Sequence, residues 1–248
     1  MEDGDAKAAA AKAAAAKDDI EKTAADRLDL INRLFAVAIS VGFATQIALL
    51  LAPTHANPFD PQGHAIELSA AAALHWHGLL LLVASMFAVV GSWEGYHKSV
   101  RLKPLEDAGR FWVDIVLVFS YLILMLLSEL TPAWFGLLAV IFALYVLWDI
   151  GSIEWVKRHT DSIAAQIDQR RFERSIVITS FWMVFAVLVA AIAGKVASDP
   201  GFVCMAAAAI AVLVLYRSDK NKRWRWQTKA VAAILPVVLL GVAVLYFK

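Results

Sequence analysis

Two aspartates stand where the chain is otherwise apolar. Asp114 lies about one turn inside a hydrophobic run from about Phe111 to Leu127, and Asp149 lies near the end of another from about Ala133 to Ile153. Ionisable side chains in such runs are costly, and they mark function more often than they do in water. Arg33, with Asp29 one turn before it, opens a third run; Glu94 and His97 close a fourth; Glu154 stands about one turn beyond Asp149. Arg33, Glu94, His97, Asp114, Asp149 and Glu154 thus fall in one layer near the inner face. Two chemistries fit such a layer. Salt bridges could pin the helices together, since opposite charges at one depth offset each other's burial. Alternatively, Asp114 and Asp149 could form a vestibule for cations or protons.

Four of the six histidines, His55, His64, His75 and His77, lie in or just after the first outer loop. On a helix His75 and His77 face about 200° apart, so they cannot share one ion without unwinding. The cluster reads either as interfacial histidines or as a pH-sensing or weak metal site with Asp60 and Glu67. No His-x-x-x-His or Cys-x-x-Cys spacing suggests zinc, and no two histidines share a depth on separate helices as haem would need. No resident metal or cofactor is therefore expected. The single Cys204 forms no intramolecular disulfide. Phosphate-binding glycine loops, Gly-x-Ser-x-Gly and His-Glu-x-x-His are all missing. The reading leans away from an enzyme, and an intramembrane one using histidine and aspartate is the remaining form.

The elements that must position these residues follow from composition. The chain has 248 residues, 60% of them hydrophobic and 18% charged, with a mean hydropathy of +0.65. Soluble domains average about 45–50% and 25%, so the chain must place much of its apolar surface in a bilayer. Spans of about 20 apolar residues run from about Ile31 to Leu51, Ser69 to Trp93, Phe111 to Leu127, Ala133 to Ile153, Ile176 to Ala193, Phe202 to Tyr216 and Ala230 to Phe247. The sixth is short. Counting it makes basic residues alternate: of 23 Lys and Arg, only Lys195 and Lys248 fall on the outer side. The expected fold is all-α and polytopic, with seven transmembrane helices, the N-terminus cytoplasmic and the C-terminus outside. Residues 1–27, rich in Ala and Lys, form a cytoplasmic helical segment without a signal-peptide pattern; residues 28–248 form the transmembrane domain. The nine tryptophans, Trp134 among them, read as interfacial belts. A net charge of +1 gives no field to draw in nucleic acid.

Span one carries Ser40, Thr45 and Gln46, and Ala36, Ser40 and Ala44 recur every four residues. Small residues at that spacing permit close helix contact, so span one reads as an interior helix in a packed core or a pore. Phe35-Ala36-Val37-Ala38-Ile39-Ser40 resembles the Phe-Ala-Ile-Ala-Ile-Thr run in the first helix of bacterial relatives of the lysosomal potassium channel family. Trp93 and His97 resemble that family's Trp and His at the end of helix two. The resemblance implies an all-helical potassium channel of the bacterial inner (plasma) membrane, with helix one lining the pore and Val37 at its constriction. Leu30-Ile31-Asn32 replaces the family's Phe-Ser-Asp, and seven helices are read where the family has six per repeat.

The leading expectation is a small membrane transport protein, cation channel-like and homo-oligomeric, with Val37, Ser40, Thr45 and Gln46 as pore-lining candidates. The alternative is a non-catalytic subunit that docks a partner protein or lipid through its basic loops. The stretch Ile163–Phe172 is amphipathic and is expected along the membrane surface. Residues 217–229 hold six basic residues with Trp224 and Trp226. Arg223-Trp224-Arg225-Trp226 is accordingly expected to hold anionic lipid, at about 1 kcal/mol per basic residue near the surface.

Overall fold

The computed structural model describes residues 2–51, 68–100, 108–127, 131–159, 163–196, 198–222 and 224–245. They form seven helices: α1 (Glu2–Leu51), α2 (Leu68–Val100), α3 (Ala108–Leu126), α4 (Thr131–His159), α5 (Ile163–Ala193), α6 (Asp199–Lys222) and α7 (Trp226–Leu245). All seven are long and apolar enough to cross a membrane. The protein is therefore an all-helical, polytopic membrane protein. Local signals set the helix boundaries. Pro132 and Pro200 sit in the first turns of α4 and α6, where a missing N–H costs nothing. Ser198 Oγ accepts the Gly201 N–H at 3.3 Å as a cap for α6. A turn at Gly194–Lys195 ends α5, with the Lys195 N–H on the Ile192 carbonyl at 2.9 Å.

α4 and α5 pack along one another most extensively, and α6 touches α2, α5 and α7. The close approach of α6 comes from Ala206, Ala208 and Ala209, buried beside Met205 and Val212, because small side chains let backbones near each other. Buried positions on α3 follow a helical stripe: Asp114, Leu117, Val118, Tyr121, Leu124 and Met125. The opposite face of α3, with Val116, Phe119 and Ile123, is left exposed to lipid. α7 keeps Pro236 buried within it and exposes Val231, Ile234, Val237 and Val238.

Several expectations are revised. α6 spans 24 residues, Asp199–Lys222, because the helix continues past the apolar run through Arg217 and Lys220. Ile163–Phe172 is no separate surface helix: it forms the first turns of α5, and no proline or glycine intervenes to break the axis. By contrast, the Ala- and Lys-rich segment runs into span one as a single helix, Glu2–Leu51, in keeping with its reading as helical. Trp134 packs against the bundle instead of facing outward: it is wholly buried and donates its indole N–H to Ser85 Oγ at 2.8 Å, a polar partner that lets the ring sit between helices.

α1 also uses a different face from the one its alanines suggest. Ala36, Ser40 and Ala44 are exposed, while Ile31, Phe35, Ala38 and Gly42 are buried against the bundle. Gly42 is the contact point: a Cβ there would lie 2.8 Å from Met125 Cβ on α3. Gly42→Ala is expected to destabilise by about 1–3 kcal/mol through overpacking, read as a lower midpoint in reversible unfolding in detergent. A change under about 0.5 kcal/mol would mean that α1 is not seated against α3 at this point.

Candidate functional site

At the end of the bundle that carries the basic residues, the helices part around a cavity of about 970 Å³. α2 contributes Ser92, Gly95 and Tyr96; α3 contributes Asp114, Leu117 and Tyr121; α4 contributes Tyr145, Trp148 and Asp149. The spacing on α3 and on α4 is that of one helical face. Ser175 and Ile178 of α5 and Tyr216, Arg217 and Lys220 of α6 complete the wall, with Arg171, Glu173 and Arg174 also lining it and Phe35 reaching in from α1.

The deepest feature is a hydroxyl cluster around a guanidinium. Tyr121 Oη donates to Ser92 Oγ at 2.6 Å, and the Tyr145 hydroxyl hydrogen-bonds to both Ser92 and Tyr121. Arg217 Nη2 donates to Ser92 Oγ at 2.7 Å and to Tyr145 Oη at 3.2 Å. The Arg217 guanidinium also lies 5.5 Å from the Tyr145 ring centre and 5.2 Å from that of Tyr216, within cation–π range. Room for its side chain comes from Gly91 and Gly95 on α2. A Cβ at Gly95 would lie 2.5 Å from Arg217 Nη1, and one at Gly91 would lie 3.2 Å from Nε. The two glycines, one turn apart, form a groove in which the arginine lies.

Asp149 anchors a second cluster and is 1% exposed. Its Oδ2 accepts from Ser175 Oγ at 2.8 Å and Thr179 Oγ1 at 3.1 Å, and faces Lys220 Nζ at 3.5 Å. Lys220 donates to Tyr216 Oη at 3.0 Å, and the Tyr216 ring stacks on Tyr145 at 5.8 Å. A third group joins Asp114 and Arg110, both buried one turn apart on α3, with the Arg110 guanidinium 4.7 Å over the Trp148 ring. Tyr96 Oη and Asp149 Oδ1 are buried with no hydrogen-bond partner among the described residues, whereas the Trp148 indole N–H faces the Asp114 carboxylate. Buried polar atoms are normally satisfied, so two orphans on residues of one cavity mark a place built for polar contents.

Beside the cavity, Asp219 holds the turn between α6 and α7. It is wholly buried and accepts from Trp182 Nε1 at 3.1 Å and from the Trp224 backbone N–H at 3.1 Å. Lys229 Nζ meets it at 3.2 Å. Every polar partner it has is structural, and it brings α5, α6 and α7 together.

Of the residues expected to form one inner layer, the fold brings Asp114 and Asp149 to the cavity and leaves the rest outside. Arg33 pairs with Asp29 at 2.7 Å on the same helix, both largely exposed. Glu94 and Glu154 are exposed. His97 stacks against Trp93 at 4.5 Å, with Nδ1 3.2 Å from the Trp93 carbonyl oxygen. Val37 and Ser40 face away from the bundle, and Thr45 is half-buried. The Gln46, His75 and His77 side chains lie outside the described residues, as do His55, His64 and Arg223. Trp224 is half-buried, and Arg225 and Trp226 are exposed. Arg217, Lys220 and Lys229, read as loop charges, are helical and line the cavity. Among the described residues no group of three or more His, Cys, Asp or Glu could hold a metal ion.

Sequence reasoning missed the tyrosines and Arg217. The available signal was that three of five tyrosines lie within spans, Tyr121 and Tyr145 in the middle thirds and Tyr216 at the inner end. The pairing of Gly91 and Gly95 with a basic residue ending another span was a second signal. No family model, curated protein or solved structure matches the chain.

Proposed function

We propose that this is a membrane transport protein in which the cavity at the basic end is the vestibule of an ion pathway. The observation that carries the reading is the cavity itself: about 970 Å³ among apolar helices, with buried carboxylates and hydroxyls and the cations Arg217, Lys220 and Lys229 on its wall. Pockets that take small solutes are of this size and combine apolar walls with a few convergent polar groups. Ionisable residues within a bundle are retained chiefly along substrate and ion routes.

A second reading is the homo-oligomeric cation channel. It is supported by the outward face of α1, where Ala36, Val37 and Ser40 are exposed and free for a neighbouring copy. In that reading potassium follows an axis between protomers, as the resemblance of Phe35 to Ser40 implies. Reconstitution into liposomes separates the two. The expected result is ion flux, potassium and anions assayed separately, reduced at least tenfold by Ile178→Trp, which places an indole in the cavity. Val37→Trp reduces it tenfold only if α1 lines an oligomeric pore. Absence of flux for every ion at any voltage would overturn the transport reading, and flux insensitive to both substitutions would overturn both pathways.

A further inference from the structure

The charges around the cavity are not equally matched. Lys220 faces Asp149 at 3.5 Å, and Lys229 faces Asp219 at 3.2 Å. Asp114 has Arg110 one turn away on its own helix. Arg217 differs. Among the described residues no carboxylate lies within ion-pair distance of it; its partners are Ser92, Tyr145 and two aromatic rings. Both of its hydrogen bonds leave from Nη2. A guanidinium carries five N–H donors in a planar fork, so among the described residues Nε and Nη1 keep donors without a bonded acceptor. Arg217 is half-buried and lines the cavity, so a counter-charge that relieves its partial desolvation can reach it from there.

We propose that the cavity binds an amphiphilic oxyanion, its carboxylate or phosphate head on Arg217 and its apolar body along Phe35, Tyr96 and Trp148. The proposal deepens the vestibule reading and rests on it for the identity of the site. An oxyanion matches the geometry of the guanidinium fork, which binds such groups in pairs of parallel hydrogen bonds. The body follows from size and lining. A cavity of about 970 Å³ is far larger than an inorganic anion needs and falls at the upper end for drug-sized ligands. The Phe35 ring stands 6.1 Å from Tyr96 and 5.9 Å from Tyr121, so aromatic surface continues from the guanidinium cluster to Tyr96, and Trp148 lines the same cavity. Tyr96 Oη, an orphan donor among the described residues, can meet a polar atom on the body. The Gly91 and Gly95 groove fixes the head site, since it holds the guanidinium in one place. Such a ligand is either a soluble organic acid or the head of an anionic lipid.

Both sources are tested on the full chain in phosphatidylcholine nanodiscs. Phenyl phosphate, titrated calorimetrically, is expected to bind the wild-type protein and to bind Arg217→Met at least tenfold more weakly. Gly95→Ala, which keeps the charge but displaces it, is expected to weaken binding similarly, whereas exposed Lys222→Met leaves it unchanged. In parallel, phosphatidylglycerol retained through purification is measured by native mass spectrometry. Retention lost in Arg217→Met assigns the head to a lipid and supports the proposal; phenyl phosphate binding lost without a lipid effect assigns it to a soluble acid and supports it equally. If neither depends on Arg217, the proposal is overturned. Should Arg217→Met not fold, the wild-type unfolding midpoint decides: it rises with phenyl phosphate above its value in sodium chloride of equal ionic strength, and no such rise overturns the proposal. Arg217-dependent binding without ion flux keeps this site and removes the transport reading; flux without Arg217-dependent binding does the reverse.

Discussion

Replacing Lys229 with methionine is expected to destabilise the protein by about 3–5 kcal/mol, the cost of stranding one partner of a buried ion pair. Asp219 is wholly buried, and Lys229 Nζ, 3.2 Å away, is the cation that faces its carboxylate. The Trp182 and Trp224 N–H groups would remain on Asp219, but hydrogen bonds from neutral donors do not replace a counter-charge in an apolar setting. Because Trp182 is on α5, Asp219 on α6 and Lys229 on α7, the loss loosens three helices where they meet. Reversible unfolding in one detergent, with a series of denaturant concentrations, measures the effect. Asp219→Asn combined with Lys229→Met is expected to recover more than half of it, since no net charge is then left buried. Lys222→Met, exposed on the same turn, should change stability by less than about 0.5 kcal/mol. A Lys229→Met effect below about 1 kcal/mol would show that the pair carries no buried charge.

The second large effect is expected at Asp149. Asp149→Leu removes the acceptor of Ser175, Thr179 and Lys220 in one step. The hydroxyls have a fallback: Thr179 Oγ1 already reaches the Ser175 carbonyl at 2.8 Å on its own helix. Lys220 has no second carboxylate among the described residues and keeps the Tyr216 hydroxyl at 3.0 Å. Its side chain is 28% exposed toward the cavity, so water relieves part of the strain. The expected cost is about 3 kcal/mol, the lower end for breaking such a pair. Asp149→Leu with Lys220→Met should recover most of that, and the double-mutant cycle gives their coupling directly. Additive single effects, with no recovery in the pair, would mean that Asp149 and Lys220 are independent.

These two pairs also show where a one-dimensional reading stops. Asp149 was visible because a carboxylate inside an apolar run is anomalous whatever surrounds it. Asp114 was visible for the same reason, and both reach the cavity wall. Asp219 and Lys229 were not, because they lie among charges that the alternation of basic loops already explains. That alternation counts charge and carries no information about direction. α6 runs on to Lys222, and one face of its last two turns carries Arg217 and Lys220 into the bundle rather than onto its surface.

α1 makes the same point with packing. Small residues recur at Ala36, Ser40 and Ala44, which fits a close helix contact, yet the buried stripe is Ile31, Phe35, Ala38 and Gly42. Both faces satisfy the local rule. Met125 of α3 decides between them, because its side chain fills the space that only a glycine at 42 leaves open.

The sequence by itself determined the class of the protein: seven apolar helices and two aspartates in costly places. These follow from transfer free energies, which each residue carries independently of its neighbours. Only the tertiary structure decided that three tyrosines, a serine and Arg217, drawn from α2, α3, α4 and α6, share one cavity, and that no carboxylate among the described residues pairs with Arg217 there. The physical reason is that a hydrogen bond or an ion pair depends on rotation and depth of two helices together. Residues 92 and 217 are 125 positions apart in the chain and 2.7 Å apart in space, and no periodicity within either helix encodes that distance.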